Sequence, residues 1–245
     1  MTDIEKLQQE LARLRTRFDE ELERQKLDAL AEFAAGAGHE INNPLAIIGG
    51  HAQMLLGEIE HPEHRRKLAV IAAQVRRAYE MMADIRFFAR PPAPEPERFD
   101  LVDRLRCLVG EQTPMMEEAG VRLYFEPEVD SLEIETDPVQ LHVVVADLCN
   151  NAREILQPGG GNVWLRLRQQ RESVIISVDD DGSGVDEATR PLIFCPYYSG
   201  RQAGRGLGFG LPKAWRIMQQ LGGSICHETP ESGIGARFVV ELPNR

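Results

Sequence analysis

His39 stands in the run Gly38-His-Glu-Ile-Asn-Asn-Pro-Leu45, inside a long stretch of helical pattern, with an acid next to it and an amide four residues on. An imidazole on an open helix face attacks phosphorus when a neighbouring carboxylate takes a proton from one ring nitrogen and leaves the other nucleophilic. Glu40 is placed for that task, and Asn43 lies one turn along on the same side of the helix. Pro44 has no backbone N–H, so the carbonyl of Glu40 loses its helical partner and the helix loosens beside His39. The run is not the HExxH zinc pattern, because its fifth residue is Asn43. Alone, such a histidine is an ordinary surface residue.

The downstream half supplies groups that suit a phosphate donor. Gly204-Arg-Gly-Leu-Gly-Phe-Gly210 precedes a helix expected from about Leu211. Its glycines can turn backbone N–H groups toward phosphate oxygens, and the helix N-terminus adds a favourable dipole. Asp180-Asp-Gly-Ser-Gly184 follows an expected strand, and Gly182 and Gly184 permit close backbone approach to a ligand. Asp147-Leu-Cys-Asn-Asn151-Ala-Arg-Glu154 falls on an expected helix.

The elements that must hold these groups divide the chain in two. Residues 3–56 read as one helix with two apolar seams. Ile4, Leu7, Leu11, Leu14 and Phe18 form the first, and Leu27, Leu30, Ala34, Ala37, Ile41 and Ile48 the second. The nine residues from Phe18 to Leu27 put the seams about 180° out of phase. Either the first segment packs on a different neighbour, or the junction is strained and passes on a signal. With Ile41 and Ala34 at heptad a positions, His39 falls at f, facing away from a bundle core, and Asn43 at c.

After a turn at 57–63, a second helix to about Arg90 keeps heptad spacing through Leu68, Ile71, Val75, Ala78, Met82, Ile85 and Ala89. One such antiparallel hairpin has too little core, and two make a four-helix bundle, so a homodimer is expected. Pro91, Pro92, Pro94 and Pro96 end the helix in a stiff linker. Beyond it, helices at 101–118 and 137–156 and strands at 121–126, 132–135, 162–169, 173–180, 223–228 and 235–241 make an α/β two-layer domain. The expected fold class is thus α+β. The divisions are a coiled coil over 1–30, a dimerisation domain over 31–92, a linker over 93–98 and an α/β domain over 99–245.

The net charge of −11 over 245 residues argues against nonspecific binding to nucleic acid or anionic membrane, while leaving room for a local basic pocket. Cys107, Cys149, Cys195 and Cys226 are widely spaced with no CxxC pair, which fits a reducing compartment and neither zinc nor a disulfide framework. Cys195 is expected to be a buried structural thiol. His61 and His64 share a turn and are expected to be solvated. No signal peptide or membrane-spanning stretch is visible, so the chain reads as soluble and cytoplasmic.

Residues 38–45 resemble the H-box of sensor histidine kinases, closest to the nitrogen-regulation subgroup. The segment 147–154 resembles their N-box, 180–184 the G1 box, 193–201 the F-box and start of the ATP lid, and 204–210 the G2 box. These occur in family order over about residues 31–245. The resemblance implies a bundle followed by a sandwich of the gyrase, Hsp90, histidine kinase and MutL type.

It implies further that His39 is the phosphoacceptor and Glu40 the catalytic base, while Asn43 positions water for dephosphorylating a response regulator. Asn151 would ligate Mg²⁺ through its carbonyl oxygen, which suits a hard cation. Asp180 would accept a hydrogen bond from the adenine amino group of ATP, and Gly182, Gly184, Gly204, Gly206, Gly208 and Gly210 would line the nucleotide. Arg201 would meet the γ-phosphate. The partner implied is the aspartate-bearing receiver domain of a response regulator. Asp147 departs from the family's usual asparagine, which leaves open an extra metal contact or slow ATP hydrolysis. An ATP-hydrolysing machine of the gyrase and Hsp90 superfamily and a non-catalytic nucleotide-binding scaffold are the alternatives.

Overall fold

A computed structural model describes residues 3–157, 159–196, 198, 208–230 and 233–244. In the first helix, the side chains of residues 3–13, 16, 19, 20, 23 and 24 lie outside that description. The chain divides into two compact units, Met1–Pro91 and Pro92–Arg245.

The first unit is a helical hairpin. Helix α1 (Asp3–Glu58) runs without a break through both apolar seams and through Pro44. Helix α2 (Pro62–Ala89) opens on a proline, whose missing N–H costs nothing at that position. In the turn, Arg65 Nη1 donates to the carbonyl oxygens of Leu56 at 2.6 Å and Ile59 at 3.1 Å, closing off the C-terminal end of α1.

The buried line of α1 passes through Ala31, Ala34, Gly38 and Ala52, and that of α2 through Ala72, Val75, Ile85, Phe88 and Ala89. This differs by one position from parts of the seams expected from sequence. The small residues sit where α1 and α2 approach each other. Ile41, Ile47, Ile48, Met54, Val70 and Ile71 stay exposed on the single hairpin. A helix in a four-helix bundle buries two stripes, and heptad counting merges them into one. Of the first seam, Leu14 and Phe18 are exposed, while the side chains of Ile4, Leu7 and Leu11 lie outside the described residues.

The second unit begins with strand β1 (Glu97–Asp100), which four residues and a proline-rich approach did not foretell. Then come α3 (Leu101–Glu118), β2 (Val121–Pro127), β3 (Glu133–Thr136), α4 (Pro138–Leu156), β4 (Gly161–Gln169), β5 (Ser173–Asp180), α5 (Gly210–Gln220), β6 (Ser224–Glu228) and β7 (Ala236–Pro243). Strands β1 and β3 form an antiparallel pair, and the main sheet has the order β2-β4-β5-β7-β6 with only β2–β4 parallel. One sheet face carries Val163, Leu165, Leu167, Val174, Ile176, Val178, Phe238, Val240 and Leu242, all buried under α3, α4 and α5. At roughly 25 cal/mol per Å² of apolar surface removed from water, this layer is the main stabilising term of the unit.

Helices α3 and α4 start in the same way. Asp100 accepts from the N–H groups of Val102 and Asp103, and Asp137 from those of Val139 and Gln140. Such caps satisfy N–H groups that have no partner inside the helix. A hydrogen bond from Ser131 is the leading reason that the Asp100 carboxyl sits below its ordinary range. Asp137 has a second task, since its other oxygen accepts from the N–H of Glu95 at 2.9 Å. One turn inside α4, Gln140 Nε2 donates to the carbonyl of Pro92 at 3.0 Å. The proline-rich segment is thereby strapped to the helix that carries Asn151. No helix among the described residues is long and apolar enough to cross a membrane.

Candidate functional site

On the hairpin, His39, Glu40 and Asn43 are all exposed. His39 and Asn43 lie one turn apart on one face, while Gly38 is buried against the second helix with Met82 nearby. The face that bears the imidazole is therefore open on the single hairpin, as is Ile41, which the heptad count put at a core position. Between His39 and Pro44 the helix is held from across the hairpin: the hydroxyl of Tyr79 donates to the carbonyl oxygen of Asn42 at 3.1 Å. Tyr79 was not singled out from sequence. It occupies the place next to Ala78 in the α2 seam, and nothing in local sequence says which carbonyl it meets.

In the second unit the aspartates at the end of β5 take three directions. Alternation sends Asp179 to the outer sheet face and Asp180 to the inner one. Asp179 is 4% exposed and accepts through Oδ2 from Arg237 Nε at 2.9 Å, from Arg237 Nη2 at 2.7 Å and from Arg166 Nη1. Arg166 also donates to Glu126 at 2.7 Å and lies over the Trp164 ring. Asp181, beyond the strand, accepts from the backbone and side-chain N–H groups of Asn162 at 2.7 and 2.6 Å. Asp180 keeps its carboxylate inside, where Oδ1 accepts from the N–H groups of Gly182 at 2.9 Å and Ala236 at 3.4 Å. Burial pushes its pKa up to about 6, against the lowering effect of those two bonds.

Two glycines of the site have no substitute. Gly184 has φ +73°, and a Cβ there would come within 2.8 Å of the Gly235 carbonyl oxygen. Gly208 has φ +71°, and its Cβ would lie 2.2 Å from the carbonyl oxygen of Tyr198. Both positions need the left-handed conformation and a close backbone crossing. Gly182 packs over Ile155 of α4 and the Asp180 carboxylate. This brings the Asp180–Gly184 turn against the helix that carries Asn151. Gly210 is the first residue of α5, one earlier than expected. Arg201, Gly204 and Gly206 lie outside the described residues.

Asn151 is half-buried on α4. One turn earlier Asp147 meets Lys213, from the first turn of α5, with Nζ 3.0 Å from Oδ2. Lys213 is 8% exposed and was missed from sequence, although a lysine three residues after Gly210 on a helix facing α4 was the available signal. Cys195 is exposed, not buried as expected, because the turn closed by its N–H to the Leu192 carbonyl buries Ile193 and leaves Cys195 outside. Cys149 is the buried thiol, its pKa pushed up to about 12 by desolvation. Among the described residues, no cluster of three or more His, Cys, Asp or Glu side chains could hold a metal ion by itself.

Comparison with known proteins matches both units. The sequence model described as His Kinase A (phospho-acceptor) domain matches residues 29–94, and that described as Histidine kinase-, DNA gyrase B-, and HSP90-like ATPase matches residues 136–245. Sporulation kinase E of Bacillus subtilis (strain 168) is 28% identical over 220 residues, 89% of this chain and 29% of that protein. The C4-dicarboxylate transport sensor protein DctS of Rhodobacter capsulatus is 30% identical over 241 residues, 95% of this chain and 36% of that protein. The chain spans between 29% and 55% of the length of sporulation kinases E, C and D, which it also matches. Among solved structures, full-length ShkA in complex with AMPPNP superposes with a TM-score of 0.73 at 25% identity, over 86% of this chain and 45% of that one. The histidine kinase ThkA in complex with the response regulator protein TrrA gives a TM-score of 0.67 at 24% identity, over 94% of this chain and 66% of that one.

Proposed function

The chain belongs to the histidine kinases, with a phospho-acceptor domain followed by a gyrase B- and HSP90-like ATPase domain, and from that premise we propose that it is an ATP-dependent protein-histidine kinase that phosphorylates itself on His39. The observation that carries this reading is the open helix face at His39, in a chain whose second unit turns the buried carboxylate of Asp180 inward beside glycines that permit close backbone approach.

In the proposed reaction a ring nitrogen of His39 attacks the γ-phosphorus of ATP, and the bond to the β–γ bridging oxygen breaks with its electron pair leaving on ADP. Glu40 takes the imidazole proton. Asp180 accepts from the adenine amino group, and the Gly182 and Gly184 turn admits the base. Asn151 would hold Mg²⁺, which would neutralise phosphate charge. Gly208 and Gly210 would present backbone N–H groups to the phosphates, while Gly204, Gly206 and Arg201, outside the described residues, are assigned to the phosphates by the family pattern alone. The phosphoryl group then passes to an aspartate of a response regulator, and Asn43 positions water for the reverse task of dephosphorylating that regulator. The exposed Ile41, Ile48 and Ile71 mark the face on which a second copy completes a four-helix bundle.

Incubation with γ-labelled ATP and Mg²⁺ tests the assignment. Wild-type protein is expected to retain acid-labile, base-stable label, and His39→Gln and Asn151→Ala to retain none. Wild-type labelling of His39→Gln would remove His39 from the mechanism.

A further inference from the structure

Asp147 and Lys213 are joined at a place where an ion pair has chemical consequences. Asp147 lies one turn before Asn151 on α4, so the carboxylate and the amide share a helix face. Lys213 lies in the first turn of α5, three residues after Gly210, and its backbone N–H bonds to the Phe209 carbonyl at 2.8 Å. Their side chains are 17% and 10% exposed, and Nζ stands 3.0 Å from Oδ2. The pair thus spans the gap between the helix that offers Asn151 and the helix that follows the glycine-rich segment.

A carboxylate in such a place is a candidate general base for water. Removed from bulk solvent and lacking a cation, it would hold a proton more tightly and accept one more readily near neutral pH. A lysine ammonium at contact distance does the reverse. It lowers the carboxylate's proton affinity through its charge.

We propose that Lys213 is a positioning residue that reserves the γ-phosphoryl group for the imidazole by withholding Asp147 from water. This rests on the kinase reading above. In the side reaction it suppresses, a water oxygen bonds to the γ-phosphorus and the bond from that phosphorus to the β–γ bridging oxygen breaks. The electron pair leaves on ADP, the proton of water goes to the Asp147 carboxylate, and ADP and inorganic phosphate depart.

The test uses the full chain carrying His39→Gln, so that no phosphohistidine forms, and reads phosphate release beside ATP affinity. Adding Lys213→Met is expected to raise release at saturating ATP at least about ten-fold, below the ~10²–10⁴-fold that a fully placed general base contributes. Adding Asp147→Asn to Lys213→Met is expected to return release to its starting level, and Lys213→Arg, which keeps the cation, to leave it there. A pair that only ties two helices together would lower ATP affinity and stability without raising release. Unchanged release from Lys213→Met that still binds ATP overturns the proposal, as does a rise that survives Asp147→Asn. Should Lys213→Met not fold, Lys213→Gln keeps a polar group against the carboxylate and the same outcomes decide. Failure of the kinase reading shows separately, as absence of label on wild-type His39.

Discussion

Tyr79 ties α2 to α1 through the carbonyl of Asn42, at 3.1 Å, inside the very turn that carries Asn43 and Pro44. The bond braces the helix where proline has weakened it. Tyr79→Phe removes the hydroxyl and little else. It is expected to cost about 1 kcal/mol, the usual net value of such a bond, read as a lower denaturation midpoint of the hairpin. Label on His39 should persist.

Asn43 shares an open face with His39, and the proposed mechanism gives the proton transfer to Glu40 and not to Asn43. Asn43→Ala is therefore expected to keep self-phosphorylation near the wild-type rate and to slow dephosphorylation of the regulator at least ten-fold. The check is a paired assay on one preparation. An unchanged phosphatase rate counts against the role of Asn43.

Asp180 gives a pH signature with a definite sign. Its folded pKa of about 6 lies above the ordinary 3.8. A carboxyl raised on folding contributes stability that is complete below about pH 4 and is lost as the pH rises through about 6. Above that, the buried charge is a cost. Asp180→Asn should therefore melt higher than wild type at pH 7.5 and show no such advantage at pH 4, while losing ATP binding. In the wild type, ATP affinity should weaken below pH 6, where Asp180 gains a proton.

Gly208 is the glycine whose replacement speaks to nucleotide binding. Its Cβ would meet the Tyr198 carbonyl oxygen at 2.2 Å, in a backbone conformation that alanine avoids. Gly208→Ala is expected to retain the circular dichroism of the fold and lose more than ten-fold in ATP affinity. Wild-type affinity measured by titration would refute this.

Asp179 neutralises two arginines on the sheet face opposite to Asp180. Asp179→Asn leaves both with a weaker acceptor and is expected to cost about 3 kcal/mol, as when one partner leaves a mostly buried pair. Urea denaturation of the variant reads this directly.

The hairpin, the exposed histidine and most of the sandwich were legible in sequence because each follows from a period. Helices α3 and α4 begin at aspartates that cap them, and β5 ends at Asp180 as expected. What escaped was non-periodic. Strand β1 is four residues long and exists by pairing with β3. The partners Tyr79–Asn42, Lys213–Asp147 and Arg237–Asp179 depend on how distant elements meet, which no local pattern encodes. Burial of Cys195 was a statistical expectation for its residue type, and a single turn reversed it.

The three aspartates of β5 and its exit also act as a register lock. A strand reads in twos, so a slip of one residue against β4 and β7 would put Asp179 or Asp181 in the place of Asp180, and Val178 or Asp180 among the arginines, according to its direction. Either way a carboxylate would still stand in the place of Asp180, and residue type alone could not reject the error there. The anchors reject it: two guanidinium groups donate to the outward residue alone, and Asn162 clamps Asp181 at both oxygens. The side on which the Asp180 carboxylate lies is therefore fixed from the opposite side of the sheet, by contacts that Asp180 itself does not make.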